Sequence, residues 1–229
     1  MKLNRVNFQN IIEKYRSMGK GNVRLTQSSL FLVKDITNTS TTYNFDVLES
    51  VNGNVLPEEI RLNINDEFIV TELGIYLYGT QAVEGNPGSK GRRLFTNTLS
   101  QINAGEANNV SPVYQGQLKI AVNNIVYVEK WDSKKHEFVP RTQFQPFTNG
   151  VFPALQDSND WMNDGMQELA PMVTLSGAKK TELSLTLPTA PVQASFVTQD
   201  NAGQIVSYNI NKIAILLRGL NAQNASRFQ

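Results

Sequence analysis

The chain has 229 residues, no cysteine, one histidine and a net charge of +1. The lack of cysteine excludes disulfides and thiolate sites, and a single histidine excludes histidine-based metal centres and most Ser–His or Cys–His catalytic arrangements. A chain of this length can bury roughly 70% of its unfolded surface, enough for one large β-domain or two small ones. No apolar run reaches the length of a membrane span and the N-terminus lacks a signal-peptide core, so we expect synthesis in a reducing cytoplasm.

Residues 1–22 are predicted to form a basic amphipathic helix arm. Apolar residues recur at helical spacing between positions 8 and 18, with polar residues opposite them. Six basic residues stand against one acidic residue through Arg24, which suggests an anionic partner such as nucleic acid or lipid head groups. A solvated terminal helix is the alternative. The residues expected to face a membrane or genome are Lys2, Arg5, Lys14, Arg16 and Lys20.

The rest of the chain is a series of short extended runs with turn signals about every 8–12 residues, which is typical of a β-sandwich or barrel. Glu67–Gly79 alternates most clearly, with Leu73, Ile75 and Leu77 on an apolar side, and is predicted to be a central strand. It is predicted to form a hairpin with Ile60–Ile64 across a turn at residues 65–66. The other predicted strands are 23–27, 30–36, 42–48, 117–131, 172–175, 182–187, 194–198 and a second central strand, Ile205–Leu217.

Three segments between or after these strands are predicted to be irregular. Residues 80–112 are rich in Gly, Asn and Ser and indicate a long surface loop, with the basic cluster Lys90–Arg93 at its tip. Residues 140–170 contain three prolines and indicate a connection between two β-halves, with a helical turn near Ser158–Met166. Asn123-Asn124 predicts either a bulge or a tight hairpin turn, and the polar tail Asn221–Gln229 should be loosely held.

No motif for catalysis or cofactor binding emerges. His136 lies among charged residues in a predicted exposed turn. Asp157, Asp160 and Asp164 have some likeness to a calcium loop, but Met162 occupies a position where a ligand is required. Two Ser-x-x-Lys sequences lack their companion motifs, and no glycine-rich loop links a strand to a helix. We therefore predict no catalytic residues, no metal site, no cofactor and no enzymatic activity.

Two functions that leave no local motif stay open. Carboxylates from distant strands could meet in a cleft and hydrolyse glycosides. Trp131 and Trp161 could stack on sugars, although buried aromatic residues are more common.

The basic helix, together with five later segments, resembles the major capsid proteins of tailless icosahedral phages with an internal membrane, the corticovirus and Flavobacterium lipid-phage type. The segments are Asp66–Gly74, Tyr114–Val122, Val139–Gln143, Leu169–Gly177 and Leu183–Pro188. The resemblance implies a tandem, or double, jelly-roll sandwich whose homotrimers form pseudo-hexagonal capsomers. Because the chain is short for two jelly rolls, a single embellished jelly roll is the alternative.

From this resemblance we expect a helix arm at 1–22, a first jelly-roll domain at 23–139, and a connection with a second jelly-roll domain at 140–229. The expected function is that of a major capsid protein in an icosahedral virion, made in the bacterial host cytoplasm. The implied partners are other copies of the chain, minor capsid or penton proteins, the internal lipid membrane and the genome. The competing functions are a carbohydrate- or receptor-binding sandwich, such as a phage spike, and a glycoside-cleaving jelly roll.

Overall fold

Two antiparallel sheets packed against each other make up most of the molecule. The computed structural model describes residues 5–18, 23–49, 58–82, 92–96, 106–137, 165–199 and 205–225. The described helices are short: α1 (Arg5–Ser17), α2 (Ala107–Val110) and two 3-10 helices, Ser111–Gln115 and Ser133–His136. The predicted all-β class and the N-terminal helix are therefore confirmed.

The first sheet has β10 and β3 at its centre, and β1 pairs with the far side of β10. Both β4 and β7 pair with β3, and β9 pairs with β10. The members are β1 (Arg24–Asp35), β3 (Glu67–Ala82), β4 (Arg92–Phe95), β7 (Gln167–Ser176), β9 (Ala194–Gln199) and β10 (Ile205–Gln223).

The second sheet has the order β2-β8-β5-β6. Its strands are β2 (Thr42–Phe45), β5 (Gln117–Val122), β6 (Ile125–Asp132) and β8 (Thr181–Thr186). Each sheet thus combines strands from both predicted jelly-roll ranges, 23–139 and 140–229. The predicted boundary between those ranges lies outside the described residues.

One continuous apolar core fills the space between the sheets. It includes Phe45 of β2, Leu118 of β5 and Leu185 of β8 on one side, and Ile75 of β3 and Ile215 of β10 on the other. Since β3 and β10 also carry buried residues on their outer side, both are central strands, as their sequences predicted.

The predicted alternation of β3 is wrong at one point. Phe68 and Val70 were expected opposite Leu73, but all three lie in the same core. The register against β10 shifts at Thr71, and an extra residue in one strand moves every later side chain to the other face. A second register shift, at Asn211, likewise moves the later side chains of β10 to the other face of the sheet.

The predicted hairpin between Ile60–Ile64 and β3 is also wrong. Ile60 forms an isolated antiparallel bridge with Phe31 of β1, and Leu62 forms a parallel bridge with Leu48. We call residues 58–62 the edge strap, because they bind the outer edge of β1. The carboxylate of Glu59 completes this contact by accepting the backbone N–H of Val33 at 3.1 Å.

The segments predicted to be irregular contain regular structure. Within 80–112, Arg92–Phe95 forms β4, whereas Lys90 lies outside the described residues. Within 140–170, residues 167–170 belong to β7, and 158–164 lie outside the described residues. Asn123 and Asn124 have φ angles of 52° and 64°, so they form the tight hairpin turn rather than a bulge.

The C-terminal tail is held more firmly than its polar sequence predicted. Residues 221–223 extend β10 and pair with β1, and the first two of them also pair with β3. Ala222 and Ala225 are fully buried. The last four residues, 226–229, lie outside the described part of the chain.

Candidate functional site

Helix α1 packs on the outer face of the first sheet. Ile11 and Tyr15 are buried there against Ile69 of β3 and Leu220 of β10. The Tyr15 hydroxyl donates a 2.8 Å hydrogen bond to Oε2 of Glu67. Burial and the neighbouring carboxylate both raise the pKa of Tyr15. This part of the apolar stripe therefore stabilises the chain's own sheet.

Two of the five predicted basic site residues are exposed on α1. Lys14 and Arg16 both face solvent, and they stand in the last turn of the helix, where cations interact favourably with the helix dipole. Arg5 begins α1, but its side chain is outside the described part of the structure. Lys2 and Lys20 also lie outside the described residues.

The side chain of Asp66 binds the residues at the end of β10. It lies next to Glu67, the residue that binds Tyr15 of α1. Its carboxylate accepts hydrogen bonds from Nδ2 of Asn221 at 3.1 Å and from the backbone N–H of Asn224 at 2.8 Å. Its carbonyl accepts the N–H of Gly177 at 2.8 Å. The sequence indicated only a turn at this position, because these three donors to the oxygen atoms of Asp66 are more than a hundred residues away.

His136 is buried, which corrects the prediction that it lies in an exposed turn. It does end a 3-10 turn, but its side chain is fully buried. Nε1–H of Trp131 donates to Nε2 of His136 at 2.8 Å, and Nδ1 lies 2.8 Å from the carbonyl of Gly165. Lys135 covers the indole ring, with its Nζ 4.3 Å from the ring centre.

These two contacts define the protonation state of His136. Nε2 must be unprotonated to accept from Trp131, so Nδ1 carries the proton and donates it to Gly165. Burial is the main cause that lowers the pKa of His136, to about 4. Gly165 has a φ of 78°, and a side chain there would collide with the carbonyl of His136. The histidine is therefore a neutral connector between the end of β6 and the start of β7.

The buried glutamates of the described chain have structural partners. Glu59 pairs with Arg61 at 2.7 Å, Glu67 accepts from Tyr15, and Glu72 lies 3.9 Å from Arg218. A general acid for glycoside cleavage requires a carboxyl group whose pKa is raised in a cleft. Each of these three carboxylates instead makes a contact that stabilises the fold.

Among the described residues, no group of three or more His, Cys, Asp or Glu side chains could hold a metal ion. The residues of the calcium-like sequence, 157–164, lie outside that range, as does Trp161. No helix in the described ranges is both long and apolar enough to cross a membrane.

Comparisons with protein-family models, with characterised proteins and with solved structures found no match.

Proposed function

We propose that this chain is a structural subunit of a virus shell and that its fold is a single jelly roll. The observation that carries the proposal is the order in which the strands pair. The first strand pairs with the last, β1 with β10, and β2 pairs with β8. Inside these, β3 pairs with β7, and β5 pairs with β6 through the tight turn.

Nested pairs of this kind arise when a long antiparallel hairpin is rolled into two facing four-stranded sheets, which is the jelly roll of capsid and lectin domains. The two sheets would then be β1-β10-β3-β7 and β2-β8-β5-β6, and β4 and β9 would be additions to the first sheet. The N-terminal helix and the resemblance of the sequence to phage major capsid proteins favour the capsid use of this fold.

The single roll replaces the double roll implied by the resemblance. All four nested pairs belong to one sandwich, which favours one lobe per chain over two. A trimer has six lobes only when each subunit carries two rolls, so a one-roll chain would require six copies for a hexagonal unit. We therefore propose that closed rings of the chain, rather than pseudo-hexagonal trimers, build the shell around a genome and membrane, with penton or minor capsid proteins completing it.

Helix α1 is the proposed inner contact. Because Ile11 and Tyr15 are buried in the protein, α1 would meet lipid head groups or nucleic acid mainly through its exposed basic residues, Lys14 and Arg16. Each basic residue near an anionic membrane contributes roughly 1 kcal/mol, so two residues give a weak contact that becomes useful only when many subunits act together.

Assembly and surface binding can be tested separately. We expect light scattering and electron microscopy of the purified chain to show rings or closed shells; a monomer at every concentration and salt condition would refute the shell function.

For the helix arm, Lys14→Ala with Arg16→Ala should reduce co-flotation with anionic vesicles or binding to DNA. A matched control is Lys179→Ala with Lys180→Ala, which removes two exposed lysines from the turn after β7. Equal loss in both variants would indicate nonspecific charge attraction.

A carbohydrate-binding sandwich is the second candidate, since lectins share the jelly-roll architecture. Tyr127 is a half-exposed aromatic residue that could stack on a sugar. Trp131, the described member of the predicted stacking pair, is already engaged by His136 and Lys135. Binding of a monomer to immobilised glycans, lost in Tyr127→Ala, would favour this candidate over the shell.

A further inference from the structure

Strand β6 exposes apolar side chains at the margin of the second sheet. Of its eight residues only Val128 is buried. Ile125, Val126 and Tyr127 are 59%, 45% and 49% exposed. Consecutive residues of a strand point to opposite faces, so this apolar group is open on both faces of the hairpin.

Within the described chain, the backbone of β6 is paired on one side only. β6 pairs with β5 and is the last strand of its sheet, and no described strand pairs with its other edge. The two-residue turn makes Val122 and Ile125 the hydrogen-bonded closing pair of the hairpin. Hydrogen-bonded and non-hydrogen-bonded pairs alternate along an antiparallel ladder, so the N–H and C=O of Val126 point away from β5.

The edge at the opposite side of the sandwich is closed. There the edge strap exchanges backbone hydrogen bonds between Ile60 and Phe31 in both directions, at 2.8 and 2.9 Å. Proteins usually cover, charge or twist such edges to prevent pairing with other chains. The register of β6 against β5 shifts at Tyr127, but Val126 itself is apolar and no described strand covers it. The contrast with the covered β1 edge indicates that β6 has a partner.

We propose that the partner is β6 of a second copy, paired antiparallel about a two-fold axis at Val126. This register makes Val126 a hydrogen-bonded pair with its equivalent and places Ile125 opposite Tyr127 of the other copy. Directly opposite apolar side chains stabilise antiparallel pairs. No residue from 120 to 128 is charged, so the two copies meet without burying an unpaired charge.

The contact is too small to hold a dimer by itself. Stable interfaces bury about 1,200–2,000 Å², and three half-exposed side chains from each copy supply much less. A contact of this size fits a shell in which every subunit makes several weak contacts. The inference thus rests on the proposed shell function, and it names the surface through which one ring would join the next.

A single cysteine tests the register directly, because the chain has no other. Hydrogen-bonded antiparallel partners have Cα atoms about 5.5 Å apart, within the range that a disulfide spans. We expect Val126→Cys to give a covalent dimer on mild oxidation under assembly conditions. The matched control is Thr186→Cys, an exposed residue on β8, a strand that has neighbours on both sides; it should remain monomeric on a denaturing gel.

The outcomes separate this inference from the shell proposal. Shells that form normally while Val126→Cys stays uncrosslinked would refute the β6 contact and leave the shell function standing. Selective crosslinking of Val126→Cys in a protein that forms no shell would support the β6 contact and refute the shell. Equal crosslinking of both variants would indicate random collisions and overturn the inference. As a second readout, Val126→Lys should abolish shell formation while leaving the urea midpoint of the monomer unchanged from that of the parent.

Discussion

Acid should destabilise the protein through His136. Its pKa falls from the ordinary value of 6.5 to about 4 in the folded chain, so between these values the unfolded chain binds the additional proton. The stabilisation from the neutral imidazole is therefore complete above pH 6.5 and is lost as the pH falls to about 4. At about 1.4 kcal/mol per pH unit, the full loss is about 3.5 kcal/mol. Protonated Nε2 would also present a hydrogen to the N–H of Trp131, so this contact must break.

The measurement is urea unfolding at pH 7.0, 5.5 and 4.5, followed by tryptophan fluorescence. Carboxylates also titrate in this range, so the parent must be compared with His136→Gln, which removes the titrating group. We expect the variant to be less stable at pH 7 by about 1–3 kcal/mol, the cost of lost buried hydrogen bonds, and to lose less stability on acidification. If both proteins lost the same free energy between pH 7.0 and 4.5, the role assigned to His136 would be wrong.

Three further predictions concern the core and the hydrogen bonds made by Asp66 and Glu67 at the start of β3. Leu73→Asp or Ile215→Asp places an unpaired charge at a fully buried position and should cost several kcal/mol and abolish soluble expression; a soluble variant with parental circular dichroism would contradict the assigned register. Tyr15→Phe removes a buried donor to Glu67 and should lower the free energy of unfolding by about 1–3 kcal/mol, measured in urea, with no change expected for Ser17→Ala as the exposed control. Asp66→Ala should speed hydrogen exchange of the amides at 221–224 before those of β5, and uniform acceleration would argue against a local clamp.

Local patterns predicted the elements whose signals lie within a few residues. The helical stripe located α1, and alternation located β3 and β10, because both depend on neighbouring side chains. Consecutive asparagines indicated the turn at 123–124 because this residue type tolerates positive φ angles. The nested pairing of the strands could not be read in the same way, since it joins segments as distant as β1 and β10.

The errors arose where distant partners override the local pattern. Ile60–Ile64 alternates like a strand, but its backbone hydrogen bonds go to β1 and to Val47 and Glu49 instead of β3. His136 stands among charged residues, yet Trp131 and Gly165 enclose it. The face change at Thr71 leaves no mark in the sequence, because β3 is apolar on both sides. Equally, nothing in 125–127 indicated exposure, because an apolar run predicts burial unless the edge position of the strand is known.

The hydrogen bonds of Asp66 and Glu67 hold α1 close to the residues that follow β10. Tyr15 of the first element binds Glu67, the first residue of β3, and Asn221 and Asn224 near the last described residue bind the preceding residue, Asp66. Ile11 and Ala225 accordingly share one apolar cluster. Proteins whose ends lie close together tolerate circular permutation well. A linker between α1 and the residues after β10 should therefore be tolerated, with a new start at an exposed turn such as 123–124.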